Sequence, residues 1–181
     1  MNKTMKRIWD GVTLVLVAVV VILAVLLAGV RVIGLTPYVV LSGSMEPTYH
    51  VGSLVYVKKV DPAEIRVGDP ITFVLDENLT VATHRVIAIS EDGEHFTTKG
   101  DANDAPDGTP VYYKNLVGRP VFTIPYLGYF SHWITNPPGM YVAGAAAVVL
   151  VILLFLPNAL ERAEAADRRD AEKKKGDSGP R

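Results

Sequence analysis

Twenty consecutive residues, Gly11 to Val30, carry no charge and are nearly all Val, Leu, Ile or Ala. At ~1.5 Å per residue such a run spans the ~30 Å hydrocarbon layer of a bilayer as a helix. A cleavable targeting peptide is the competing reading, but its apolar region is usually ~7–15 residues, and Ala28-Gly29-Val30 is a poor small-x-small exit. A second apolar run, Met140 to Leu156, follows Asn136-Pro137-Pro138-Gly139, which blocks helix upstream and lets one begin after it. Its length is at the lower edge for spanning, so a buried core helix is the alternative. Lys3, Lys6 and Arg7 precede the first run, and Arg162, Arg168, Arg169 and Lys173 to Lys175 follow the second. The positive-inside rule then puts both termini in the cytoplasm, and acidic residues in the tail weigh little in it. The expected division is a cytoplasmic N-terminus (1–10), a transmembrane helix (11–30), an extracytoplasmic domain (31–139), a second transmembrane helix (140–156) and a charged cytoplasmic tail (157–181). Within that tail, Glu161 to Lys175 reads as a solvated helix of mixed charge and Gly176 to Arg181 as disordered.

The net charge of -1 excludes little by itself, but residues 31–119 hold eight Lys/Arg against twelve Asp/Glu, which is no nucleic-acid-binding surface. With no cysteine, disulfides, zinc thiolate sites and a cysteine nucleophile are excluded. Between the apolar runs the chain reads as short β-branched or aromatic segments: Ser53 to Lys59, Ile71 to Leu75, Thr80 to Ser90, Phe96 to Thr98, Val111 to Val117 and Val121 to Ile124. Asp61-Pro62, Gly68-Asp69, Asp76-Glu77-Asn78, Asp92-Gly93 and the stretch Gly100 to Pro110 break them, so the domain is predicted to be all-β.

Three places carry candidate chemistry. Ser42-Gly43-Ser44-Met45-Glu46-Pro47-Thr48 follows an apolar strand, Tyr38 to Leu41, and its Gly and Pro suit a loop that fixes a hydroxyl. Taken alone, a Ser-Gly-Ser stretch is a polar turn. His84 lies in Thr80 to Ile89, where residues 80, 82, 84 and 86 share one strand face and 81, 83, 85 and 87 the other. An imidazole, with an ordinary pKa of ~6.5, suits a general base near neutral pH, although a histidine on a half-exposed strand is the plainer reading. His50, His95 and His132 fit no metal spacing, and no His-Glu-x-x-His occurs. The stretch Gly100 to Gly108 offers Asp101, Asp104 and Asp107, any of which suits orientation of an imidazole; the loop equally suits a hard cation or a solvated turn.

Taken together, Ser-Gly-Ser-Met-Glu-Pro-Thr at 42–48, Arg-Val-Gly-Asp at 66–69, Thr-His-Arg-Val at 83–86 and Thr-Lys-Gly-Asp at 98–101 resemble the type I signal peptidases (peptidase family S26) in order and spacing. The likeness is to the endoplasmic-reticulum and archaeal branch, where histidine stands in place of a lysine base, and it runs from the first apolar run through about Tyr126. It implies a mainly β fold, a small β-barrel-like catalytic domain with one transmembrane helix on each side. It further implies a membrane-bound serine endopeptidase that removes signal peptides from secretory preproteins, cleaving after small residues at −1 and −3, with the substrate strand extended along the β domain.

In that family pattern Ser44 matches the nucleophile and His84 the general base, while Ser42 joins the Ser44 N–H in binding the oxyanion. Asp107 is favoured as the histidine's partner and Asp101 as a required neighbour; Asp104 matches no acidic family position. No cofactor, no metal and no nucleic acid is expected. The implied partners are preproteins, the lipid bilayer of the cell membrane, and a secretion translocon or accessory subunits. Pro70, where relatives usually carry an aliphatic residue, departs from the pattern and predicts a missing backbone donor at the start of the strand from Ile71. A non-catalytic tethered β domain, or an anchored metal-binding domain built on the Asp101 to Asp107 loop, are the rival readings.

Overall fold

A computed structural model describes residues 3–75 and 80–177. The expected turn at Asp76-Glu77-Asn78 lies outside the described residues apart from its flanks, as does the tail beyond residue 177. The chain divides into two compact units, one formed by residues 1–23 with 139–181, the other by residues 24–138.

In the first unit, α1 (Lys3–Leu27) and α3 (Gly139–Asp177) are both long and apolar enough to cross a bilayer, over Thr4–Leu27 and Gly139–Ala163. The core-helix alternative for the second run does not hold, because Val148, Ile152 and Phe155 are 54–66% exposed. The run is also not a separate element from the charged stretch after it. α3 continues through Pro157 to Asp177, so the expected mixed-charge helix is its extension, and Gly176 and Asp177 are helical rather than disordered. A proline inside a helix removes the N–H that would bond the carbonyl four residues earlier, here Leu153. In this structure the indole Nε1 of Trp9 on α1 donates to the Leu153 carbonyl at 3.2 Å. One helical turn beyond the proline, Lys6 pairs with Glu161.

The second unit is the β domain. Its strands are β1 (Leu35–Val39), β2 (Leu54–Lys58), β3 (Pro70–Val74), β4 (Val81–Ile89), β5 (His95–Lys99), β6 (Val111–Tyr112) and β7 (Leu116–Ile124). They form one antiparallel sheet in the order β1-β2-β7-β3-β4-β5-β6, curled into a half-barrel whose outer strands are β1 and β6. Two expected segments, 111–117 and 121–124, redistribute: Tyr113–Asn115 is a 3₁₀ turn, and β7 runs unbroken through Gly118-Arg119-Pro120. The proline is accommodated where the β2–β7 register shifts, opposite Val57. Pro70 likewise opens β3, a position where the missing donor is tolerated, and still pairs with Arg85.

The apolar interior falls into two clusters. Ile65, Ile71, Phe73, Val86, Phe96 and Val111 are at most 5% exposed and pack beneath β3, β4 and β5. Each such side chain contributes about 1.5–3 kcal/mol on burial. The other cluster joins Val30, Leu35, Leu54 and Tyr56, so the end of the first apolar run is domain core, α1 having stopped at Leu27. Tyr56 stacks on Phe122 at 4.3 Å and donates its hydroxyl to the Leu26 carbonyl at 3.0 Å. The sequence reading contained no helix between 124 and 136, yet α2 spans Leu127–Thr135. It seats tightly on the β1–β2 connection: Gly52 has φ +82°, and a Cβ there would stand 1.8 Å from the Tyr129 ring.

Candidate active site

Antiparallel partners point to the same face of a sheet, and alternate residues to opposite faces. Ile71 faces His84 and Phe73 faces Ala82 across the β3–β4 pair, and Val86 faces Thr98 across β4–β5. His84 therefore stands on the face that carries the Ile71, Phe73 and Val86 core, with Thr98 beside it, while Arg85 is on the other face. The His84 ring meets the edge of Phe73 with centroids 6.2 Å apart, and its side chain is 15% exposed.

The loop with Ser44 is closed at its base by Gly52 N–H to Val40 C=O and Val40 N–H to Ser53 C=O, both 2.9 Å. Inside it, Met45 is buried, the Glu46 N–H donates to Gly43 C=O, and the Glu46 carboxylate takes the Val51 N–H at 3.2 Å and His50 Nδ1 at 2.5 Å. His50 thus has a local role in the loop. The Ser44 hydroxyl lies 3.1 Å from His84 Nε2, and His84 Nδ1 lies 2.6 Å from Asp107 Oδ2. A carboxylate only accepts, so this arrangement assigns the imidazole proton to Nδ1 and leaves the Nε2 lone pair facing the serine. Ser42 Oγ is 3.3 Å from Ser44 Oγ. Asp104 is exposed.

Asp101 is held elsewhere. Arg85 donates from Nε to Oδ1 at 2.7 Å and from Nη2 to Oδ2 at 2.6 Å, a two-pronged pair, and Thr48 Oγ1 adds a hydrogen bond at 2.5 Å. Arg85 Nη1 also reaches the Gly68 carbonyl at 2.8 Å. One guanidinium thus ties the Ser44 loop, the acidic loop and the Gly68 turn to the strand that carries His84. The Arg85 guanidinium holds the Asp101 carboxyl below the usual carboxylate range, opposed by burial and helped by Thr48.

The two loops also meet through backbone. Ala102 N–H donates to Ser44 C=O at 2.9 Å, and a Cβ on Gly100 would lie 2.5 Å from that same oxygen, so only glycine fits there. Beside Ser44 and His84 runs a groove of about 450 Å³, walled by Tyr38 to Leu41 on one side and Thr80 to His84 on the other. Among the described residues, β5 pairs with β4 only from Arg85 onward, so Val81 to His84 pair with β3 alone, and β1 is a sheet edge.

Residues 13–120 match the protein-family model described as signal peptidase, peptidase S26. The chain belongs to that family. Among similar proteins, signal peptidase I W of Bacillus subtilis is 44% identical over 109 residues, covering 58% of this chain and 57% of that protein. The signal peptidase complex catalytic subunit SEC11C of Homo sapiens is 32% identical over 126 residues, covering 64% and 66%. The SEC11 subunit of Plasmodium falciparum is 27% identical over 169 residues, covering 85% and 91%. The chain thus spans somewhat under two thirds of the length of the bacterial and mammalian relatives.

Within this S26 peptidase domain, four residues that the sequence reading assigned no role stand at the site: Thr48, Arg85, Thr98 and Gly100. All four lie inside the motifs quoted above, and Thr98 and Gly100 flank the lysine of Thr-Lys-Gly-Asp. The Asp101–Arg85 pair makes a pH prediction. Because the folded pKa of Asp101 is depressed, the unfolded chain binds more protons in the acid range, and stability rises with pH there. The contribution is complete above the ordinary carboxylate value of ~3.9 and is lost as pH falls through the folded value. Asp101→Asn is therefore expected to lower the denaturation midpoint at pH 7 and to flatten its fall between pH 5 and 2. Parallel acid profiles for the two proteins would refute this.

Proposed function

We propose that this chain is a membrane-bound serine endopeptidase that removes signal peptides from secretory preproteins, cutting after small residues at −1 and −3. The observation that carries the reading is the unbroken relay of Ser44 Oγ to His84 Nε2 at 3.1 Å and His84 Nδ1 to Asp107 at 2.6 Å. His84 takes the hydroxyl proton as Ser44 Oγ attacks the scissile carbonyl carbon, and Asp107 stabilises the imidazolium. The oxyanion is met by the Ser44 N–H and the Ser42 hydroxyl. When the tetrahedral intermediate collapses, the imidazolium protonates the leaving amine, and the signal peptide's new C-terminus remains as an ester on Ser44. Water, deprotonated by His84, then hydrolyses that ester.

An extended substrate suits the groove, because β1 is a sheet edge and Val81 to His84 pair only with β3 among the described residues, and backbone pairing there is indifferent to sequence. Side-chain selection is left to the apolar residues that line the groove between these walls, Met45 and Val55 among them. Residues 11–27 and 140–156 serve as membrane segments, 28–139 as the extracytoplasmic peptidase domain, since Val30 packs in its core, and 1–10 and 157–181 as cytoplasmic ends of a cell-membrane protein. The basic residues that flank the two apolar stretches support this topology, as does the Lys6–Glu161 pair, which joins the N-terminal end of α1 to the charged part of α3. Translocon or accessory subunits are the expected assembly partners, as two of the relatives are subunits of a signal peptidase complex.

The test is to incubate the detergent-purified full chain with a model preprotein and map the products by mass spectrometry. One cut after the signal peptide is expected, and it should vanish when the −1 alanine of the substrate is replaced by tryptophan. An intact preprotein, or cuts indifferent to that replacement, would overturn the reading.

A further inference from the structure

Asp107 sits in a stretch without regular secondary structure between β5 and β6, where a carboxylate has little of its own backbone to hold it. Its environment supplies a second partner. Thr98, on β5, is fully buried, and its hydroxyl donates to Asp107 Oδ2 at 2.6 Å, the same oxygen that faces His84 Nδ1. The Thr98 carbonyl also accepts the Asp107 N–H at 2.8 Å. One residue of β5 therefore grips both the main chain and the side chain of the aspartate. Thr98 faces Val86 in register, two residues along β4 from His84 and on the same face, so strand pairing fixes the clamp and the imidazole relative to each other.

We propose that Thr98 is a positioning residue for the reaction: its hydroxyl fixes the Asp107 carboxylate so that the imidazole presents Nε2 to Ser44. The inference rests on the catalytic reading given above. Geometry explains why a hydroxyl is required. Oδ2 receives two hydrogen bonds from fixed directions, and without the Thr98 O–H the carboxylate is free to rotate about its own bond and carry the imidazole with it. Small misplacements of a reacting group are costly, since proximity and orientation account for much of an enzyme's rate.

The hydroxyl is tested on the full chain in detergent with a model preprotein, by measuring kcat and KM for Thr98→Val, Thr98→Ala and Thr98→Ser beside Ser44→Ala. Thr98→Ala and Thr98→Ser differ by one oxygen and both lack the methyl group, so their comparison holds even if the valine variant does not fold. Removing an outer partner of a metal-ligating histidine typically costs roughly 10–100-fold, and a loss of that order is expected for a hydroxyl that acts on His84 only through Asp107. Thr98→Val and Thr98→Ala are expected to lose kcat by that factor with KM unchanged, while Thr98→Ser stays within a few-fold of the parent. A merely structural role would move Thr98→Ser and Thr98→Ala together, following their melting midpoints. That result, or parental kcat in Thr98→Val, overturns the inference while Ser44→Ala remains dead. Cleavage by Ser44→Ala would instead remove the catalytic reading itself.

Discussion

Ser44→Ala should lose on the order of 10⁶ in kcat for preprotein cleavage, the cost of deleting the serine from a Ser-His-Asp arrangement in a protease. The size of the effect follows from the geometry of the pair. His84 Nε2 contacts the Ser44 oxygen, and the neighbouring Ser42 oxygen bonds Ser44 rather than the imidazole. The alanine variant therefore leaves a base with nothing to activate. His84→Ala should cost nearly as much, and the double variant should be no slower than either single one, since the two groups act as a unit. His84→Lys is not expected to rescue, because a lysine base needs a desolvated pocket that lowers its pKa. Single-turnover kinetics on purified variants decide the matter, and a rate for Ser44→Ala above ~1% of the parent would end the serine-peptidase reading.

The second large effect is expected at Asp107. An amide in its place offers an N–H where the imidazole needs an acceptor, which favours the tautomer with its proton on Nε2; the equivalent exchange in a serine-protease triad costs ~10⁴ in kcat. Asp107→Asn should approach that loss. Asp101→Asn, whose oxygens are held by Arg85 and Thr48, should act only through the position of the Ser44 loop and lose far less. Full activity in Asp107→Asn together with a dead Asp101→Asn would reverse the two assignments.

Much of the β domain was legible because β-branched and aromatic segments separated by turn residues announce strands wherever they are short and half-buried. Two errors have one cause. Gly118-Arg119-Pro120 looked like a break and Val111 to Val117 like a single strand, because pairing partners decide such segments and a bulge against β2 absorbs the proline. α2 was missed since Leu127–Thr135 is short, aromatic and ends at a proline pair, with little intrinsic helix propensity to signal it. At the candidate site, alternation along β4 was enough to separate His84 from Arg85. That Ser44, forty residues earlier, comes within hydrogen-bonding distance of His84 is not readable from spacing, and only the family motifs pointed there. The Thr98 clamp and the Gly100 contact were invisible for a sharper reason. Both depend on register between non-neighbouring segments, and neither leaves a mark on composition or periodicity.

Pro157 gives α3 a dependence that α1 does not have. A segment whose every carbonyl is satisfied from within can enter lipid alone, but the orphaned oxygen of Leu153 finds its donor in the indole of Trp9. The residue that interrupts one apolar helix is thereby matched by a side chain of the other, and the two helices share a backbone repair that neither contains alone.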